Sequence, residues 1–210
     1  MLVRDIMTTE VITVDPGETL KQVCLTMHER NIRHLPVVEG RRVIGVITDR
    51  DVHGATSSLC DEPTTPQGHV RDAMSSPPKT ADPLDPVEDA ARTMRSLKIG
   101  CLPVLEGDAL VGIVTGIDLL DALLLLTGVD KPSGRIEIRL PDRPGEVARL
   151  TALIAGRGLN ILSILTYPEG EGRVRCVLRV GTVETRTLAE VLRLSAFDVI
   201  WPPHGGRAGS

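Results

Sequence analysis

The sequence predicts an α/β architecture made of two β-α-β-β-α repeats, followed by a smaller α+β domain of β-α-β-β-α-β, ferredoxin-like order. Three observations carry this expectation. Residues 3–52 align with residues 70–119 at a constant offset and without a gap, the mark of an internal duplication. Gly128, Pro132 and Gly134 break the pattern across 127–134, which reads as a linker. Beyond it, Arg135-Ile136-Glu137-Ile138-Arg139-Leu140 alternates charged and apolar residues as a half-buried strand does.

The repeats match in every element. Val3-Arg4-Asp5-Ile6-Met7 answers to Val70-Arg71-Asp72-Ala73-Met74, and Thr13-Val14-Asp15-Pro16 to Thr80-Ala81-Asp82-Pro83. Leu20, Val23, Cys24 and Met27 fall at i, i+3, i+4 and i+7, as do Val87, Ala90, Ala91 and Met94, which predicts a helix with one apolar face in each repeat. Asp85-Pro86-Val87-Glu88 reads as the start of the second of these helices, with Asp85 as its cap. The apolar runs 35–38 and 43–47 flank a Gly-containing turn and predict a hairpin, repeated at 102–105 and 110–114. A further helix begins near Thr48 and near Thr115. One such unit buries too little surface to stand alone, so the two must pack together. Residues 54–68, rich in Ser, Thr and Pro, read as the loop between them, giving boundaries of 1–60, 61–127 and 134–204 for the three parts.

In the last part, Pro141-Asp142-Arg143-Pro144-Gly145-Glu146 opens a helix with apolar positions Val147, Leu150, Leu153 and Ile154, ended by Gly156 and Gly158. A strand starts at Asn160-Ile161-Leu162-Ser163-Ile164. A turn at 169–172 leads to a third strand at 174–180, then a helix at 188–194 and a last strand at 198–201.

Composition narrows the function. The chain has 210 residues, 41% hydrophobic and 25% charged, close to the globular average, so it should fold throughout. Its net charge of −4 and its three aromatic residues, Tyr167, Phe197 and Trp201, speak against nucleic acid as a partner. Charge at Arg4 and Asp5 argues against a signal peptide, and the greasy run 119–126, interrupted by Asp121, is far short of the roughly 20 residues of a membrane span, so a cytoplasmic location is expected. Cys24, Cys60, Cys101 and Cys176 are scattered without C-x-x-C spacing, which suits free thiols and no metal. There is no P-loop, no H-E-x-x-H and no G-x-S-x-G, so neither an enzyme nor a bound cofactor is expected.

Both repeats carry the pattern G-h-h-T-x-x-D, at Gly45-Val46-Ile47-Thr48-Asp49-Arg50-Asp51 and Gly112-Ile113-Val114-Thr115-Gly116-Ile117-Asp118. At a strand-to-helix turn this sets a hydroxyl and a carboxylate beside free amides, where an Asp can accept from ribose hydroxyls and the amides can face a phosphate. Thr-x-x-Asp is equally the spacing of a capping box, which satisfies the helix and binds nothing.

The duplication, the Leu-Pro-Val hairpins and the two turns together resemble the CBS domain pair, or Bateman module, over residues 1 to about 125. That resemblance implies adenosine nucleotides, AMP, ADP or ATP, in two clefts between the repeats. It implies that Thr48 and Asp51, and Thr115 and Asp118, hold ribose and phosphate. Val11, Ile12 and Pro36 would frame adenine in one cleft, and Pro78, Lys79 and Pro103 in the other. Arg33, His34 and Arg50 stand where the second repeat has Gly100, Cys101 and Ile117, so the clefts should be unequal, one cationic and one not.

The order from residue 135 to about 202, with L-P-D-R-P-G-E before its first helix and G-L-N-I after it, resembles an ACT domain. ACT domains that take a small amino acid hold it at a dimer interface, which by position points to Asp142, Gly145, Asn160 and Ile161. Asp142 as a plain helix cap and Gly145 as a plain turn residue are the alternative. Two CBS repeats followed by one ACT domain are similar to bacterial regulators of acetoin utilisation, and imply a homodimer or dimer of dimers with a regulatory role. The competing expectation is a ligand-free oligomerisation subunit.

Overall fold

The computed structural model describes residues 1–57 and 65–204; Cys60, much of the expected 54–68 loop and the expected 60/61 boundary lie outside them. The chain forms two compact units, one through Leu120 and one from Asp121 onward.

The first unit holds helix α1 (Leu20–Arg30), strands β1 (His34–Glu39) and β2 (Arg42–Thr48), helix α2 (Asp49–Thr56), a short α3 (Val70–Ala73), helix α4 (Val87–Leu97) and strands β3 (Cys101–Glu106) and β4 (Ala109–Thr115). Helix α5 (Gly116–Thr127) carries the chain onward. Each strand pair is an antiparallel hairpin with the same irregularity in register, between Val37 and Val38 and between Val104 and Leu105. Two cores result, and each borrows from the other repeat. Val70 is fully buried among Val14, Leu20, Val23, Leu35, Val37 and Ile47, while Val3 is fully buried among Ala90, Met94, Leu102, Val104 and Val114. The sequence repeats are therefore not the packing units: each leading segment completes its neighbour's core.

Several expectations need correction. The leading strand of each repeat shrinks to a single parallel bridge, Val14 to Val37 and Ala81 to Val104. Immediately afterwards the Asp15 carboxylate accepts from Gly17 N, and Asp82 from Leu84 N, both at 2.8 Å, and these Asx turns lead the chain off the sheet before Pro16 and Pro83 can extend it. Asp85 does not cap α4; its carboxylate accepts from Asp82 N at 2.8 Å, and Pro86 holds the cap position. Thr19 does cap α1, in a capping box with Gln22. Cys24 is exposed and Ala91 only half-buried, so the buried stripes are Leu20, Val23, Met27 and Val87, Ala90, Met94. Helix α2 runs to Thr56, so the expected loop starts later than residue 54.

The second unit has the order β5 (Gly134–Pro141), α6 (Glu146–Ala155), β6 (Ile161–Gly170), β7 (Arg173–Val180), α7 (Thr185–Leu194) and β8 (Asp198–Trp201). Its sheet order is β6-β7-β5-β8, with every pairing antiparallel, the ferredoxin-like plan. Alternation on β5 and β7 turns Ile136, Ile138, Leu140, Cys176, Leu178 and Val180 to one face, where Leu150 and Ile154 of α6 and Leu188 and Leu192 of α7 cover them. Helix α7 begins at Thr185, ahead of the expected 188, and β6 runs on through Glu169 to Gly170. Val147 is exposed, because α6 buries the row Glu146, Leu150 and Ile154, one turn apart, and that row excludes it. Among the described residues no helix is long and apolar enough to cross a membrane.

Candidate functional site

Both G-h-h-T-x-x-D turns adopt one geometry. Thr48 ends β2 and caps α2: Asp51 Oδ2 accepts from Thr48 N at 2.9 Å and from Thr48 Oγ1 at 2.8 Å, while Asp51 N donates back to Thr48 Oγ1 at 3.2 Å. Thr115 and Asp118 repeat this at 2.7, 2.7 and 3.4 Å. The capping box is thus present in both repeats. It uses one carboxylate oxygen only. Among the described residues Oδ1 of Asp51 and of Asp118 accepts no hydrogen bond, and both residues are half-buried, so each turn keeps a fixed anionic acceptor on the first turn of a helix.

The glycine that opens each motif has a role that sequence reasoning missed. The segment leading one repeat crosses the β-hairpin of the other: Val46 and Ser75 exchange hydrogen bonds at 3.0 and 2.9 Å, and Ile113 and Thr8 do so at 2.9 Å both ways. A Cβ at Gly45 would sit 2.8 Å from Met74 Sδ and 2.9 Å from Ser75 O, and one at Gly112 would meet Met7 in the same way. Glycine is needed because another backbone passes over it. The signal was there to find, since Met7 and Met74 are themselves a repeated pair.

The residues expected to frame adenine lie on the first strand of each hairpin and on the segment that leads to its parallel bridge. Pro36 and Pro103 are buried in β1 and β3, and their carbonyls accept from Val14 N at 3.1 Å and Ala81 N at 3.0 Å. Val11, Ile12 and Pro78, on the segments leading into those contacts, are half-buried, and Lys79 is exposed. Hairpin register places His34 opposite Thr48 and Cys101 opposite Thr115. Arg33 and Arg50 are exposed, but the His34 ring fills the space above Gly100 of the second repeat, where any Cβ would collide with it. Burial holds the His34 imidazole below its ordinary value and Arg33 adds to this, against the opposing pull of Asp49 and Asp51. Burial, with Asp51 nearby, pushes the Cys101 thiol up to about 12. No cluster of three or more His, Cys, Asp or Glu able to hold a metal exists among the described residues.

In the second unit the expected amino-acid residues fall at opposite ends of α6. Gly145 is its N-cap at φ 93°, in the left-handed region that favours glycine, and no side chain caps the helix there, so Asp142 is not a cap. Asp142 N instead donates to Gly172 O at 2.8 Å. Asn160 and Ile161 follow the far end of this 10-residue helix, about 15 Å away at 1.5 Å per residue. One chain does not bring the four together. Asn160 and Ile161 line a shallow groove of about 380 Å³ with Ala148, Thr151, Ala152 and Ala155 of α6.

Comparison with known proteins decides the family: the CBS domain matches residues 3–57 and 70–125, and the ACT domain matches residues 134–193. The chain belongs to the CBS-domain family, as a tandem CBS pair followed by an ACT domain. Similar solved CBS proteins include one assigned to acetoin utilization, AcuB from Vibrio cholerae, 30% identical, covering 63% of this chain and 98% of that one with a TM-score of 0.53. The CBS domain pair of protein MJ0100, in complex with 5′-methylthioadenosine and S-adenosyl-L-methionine, is 26% identical, covering 59% of this chain and 95% of its own, with a TM-score of 0.53. CBSX2 in complex with AMP is 26% identical over 59% of this chain and 96% of that one, with a TM-score of 0.52.

Proposed function

We propose that this chain is a non-catalytic, cytoplasmic regulator whose CBS pair senses an adenosine nucleotide, AMP, ADP or ATP. The observation that carries the reading is the uncommitted Oδ1 of Asp51 and of Asp118, each fixed by a capping box at a helix N-terminus, where ribose hydroxyls can donate to it. The bound molecules of the similar CBS pairs, AMP in one and two adenosine compounds in another, support adenosine as the shared element. The residues of the first cleft are Val11, Ile12, Arg33, His34, Pro36, Thr48, Arg50 and Asp51; those of the second are Pro78, Lys79, Pro103, Thr115 and Asp118. Because each core contains a segment of the other repeat, a ligand between the repeats biases one coupled body. Likeness to the Vibrio cholerae protein supports acetoin utilisation as the pathway served. Calorimetric titration with AMP and ATP, on the parent and on Asp51→Asn/Asp118→Asn, tests the assignment: the parent should bind and the variant should not.

For the ACT domain we propose a small-amino-acid site completed by a second copy. Edge strand β6 leaves Ile164, Leu165 and Tyr167 exposed, and beside it runs the small-residue surface of α6. Two copies joined there across a two-fold axis place α6 antiparallel to its mate, which sets Gly145 and Asp142 of one protomer by Asn160 and Ile161 of its partner. The rival reading, a ligand-free oligomerisation domain, uses the same surface. Saturable heat with an amino acid, lost in Asn160→Ala while the dimer persists, separates the two.

A further inference from the structure

A second cavity of the C-terminal unit, of about 440 Å³, lies between the first turn of α6 and the α7–β8 turn, away from the Asn160 groove, and its lining includes Arg139, Arg143, Arg149 and Arg173. The volume is that of an ordinary small-molecule pocket. Glu146, also on the lining, is only 6% exposed. Arg143 donates through Nε and Nη2 to Oε1 at 2.9 and 2.7 Å, and Arg149 through Nε and Nη2 to Oε2 at 3.3 and 3.0 Å. Two guanidinium groups therefore share one carboxylate, and the trio keeps a net positive charge. Arg149 is fixed further, its guanidinium stacked 3.9 Å from the Phe197 ring centroid and its Nη1 donating to Ser195 O at 3.4 Å.

What this leaves unused is cationic. Arg143 keeps Nη1 free of any partner among the described residues, with 70% of its side chain exposed, and the Arg173 side chain makes no hydrogen bond or ion pair among them. Of the carboxylates on the lining, Asp198 is engaged by Arg139 Nη1 at 2.8 Å and Glu146 by the arginine pair, so Glu171 alone is unengaged. Planar guanidinium forks held from behind, with donors still pointing at solvent, are suited to carboxylate or phosphate. The hydrogen bond from Asp142 N to Gly172 O ties the β5–α6 turn to the β6–β7 turn, which joins the turn that carries Arg143 to the start of β7, where Arg173 stands.

We propose that this cleft is a second ligand site, one that shares the β5–α6 turn with the amino-acid site above but binds through Arg143 and Arg173 rather than Asp142, Gly145 and Asn160, and that it takes a small polyanion, a di- or tricarboxylate or a phosphate-bearing metabolite. Arg143 and Arg173 bind the anion; Glu146 positions Arg143, and Phe197 holds Arg149 against the same carboxylate. The test is calorimetry of the full chain with inorganic phosphate and with succinate, at ionic strength matched with chloride, on the parent, on Arg173→Ala and on Arg143→Ala/Arg173→Ala. The expected result is saturable binding of at least one probe, weakened severalfold by the single change and at least tenfold by the double one, with the AMP response unaltered. Which probe binds tells carboxylate from phosphate. Both substitutions lie on the surface, so an unchanged circular dichroism spectrum is expected. Failure of both probes to titrate in the parent, or equal binding by the double variant, overturns the proposal. It leaves the nucleotide reading untouched, since that one is tested at Asp51 and Asp118.

Discussion

Replacing Asp51 and Asp118 separates a structural role from a binding role at the same carboxylate. In Asp51→Ala, Thr48 N and Thr48 Oγ1 lose their acceptor, at 2.9 and 2.8 Å, and the first turn of α2 keeps only one of its two carboxylates, Asp49. Loss of such a cap costs about 0.5–2 kcal/mol. At roughly 2–4 °C per kcal/mol for a chain of this size, the melting temperature should fall by about 1–8 °C. Asp51→Asn keeps one oxygen for both Thr48 donors and loses only the helix-end charge, about 0.3–1 kcal/mol, while the second oxygen becomes an amide that cannot accept from ribose. A ligand held at 100 times its dissociation constant stabilises the folded state by about 2.7 kcal/mol, or about 5–11 °C on the same scale. Differential scanning fluorimetry with AMP and ATP should therefore show, for Asp51→Asn/Asp118→Asn, a folded protein whose unliganded transition is lowered by about 1–8 °C and which gives no ligand shift. If the Asn pair shifts with nucleotide as the parent does, the free oxygen does not hold ribose and the site assignment is wrong.

Gly45→Ala should destabilise the first unit by about 1–3 kcal/mol through collision with Met74 and Ser75 O, seen in denaturant unfolding, whereas an unchanged midpoint would mean that the crossing segment is not held there. Thiol labelling at neutral pH, mapped by peptide mass spectrometry, should mark exposed Cys24 and spare buried Cys101 and Cys176, whose thiols burial holds up at about 12 and about 11; early labelling of Cys101 would contradict the packing of β3. Glu169 is held down at about 2 by hydrogen bonds from Arg139 and Arg175. A depressed carboxylate contributes stability that is fully present above its ordinary value of 4.5 and is lost as pH falls toward 2, so acid unfolding of the C-terminal unit should lose part of its pH dependence in that window in Glu169→Gln; an identical acid profile would refute this.

How much of this was legible in the sequence depends on the range of the interaction. The two hairpins, the Thr-x-x-Asp turns and the ferredoxin-like order were legible, because each is specified within about ten residues by alternation, glycine and capping chemistry. The exchange of Val3 and Val70 between cores was not, since nothing local says which hairpin a short apolar segment will cross. Nor was the contact of His34 with Gly100, which in sequence reads only as a missing side chain. For the ACT residues, the resemblance pointed to one site at a dimer interface, and the length of α6 separates the four within a chain. Trp201 illustrates the same limit. It belongs to the expected last strand, but only the sheet order shows that β8 and β6 are opposite edges, which puts Trp201 on the far side from Asn160.

Isothermal calorimetry of the full chain with AMP is the plainest test of whether the paired turns of the CBS repeats hold an adenosine nucleotide. Saturable heat is expected with up to two sites per chain, the tighter one weakened in Arg33→Ala/His34→Ala and both lost in Asp51→Asn/Asp118→Asn. No heat with AMP, ADP or ATP, from protein stripped of ligand and shown to be folded, would contradict it and leave the chain an oligomerisation subunit.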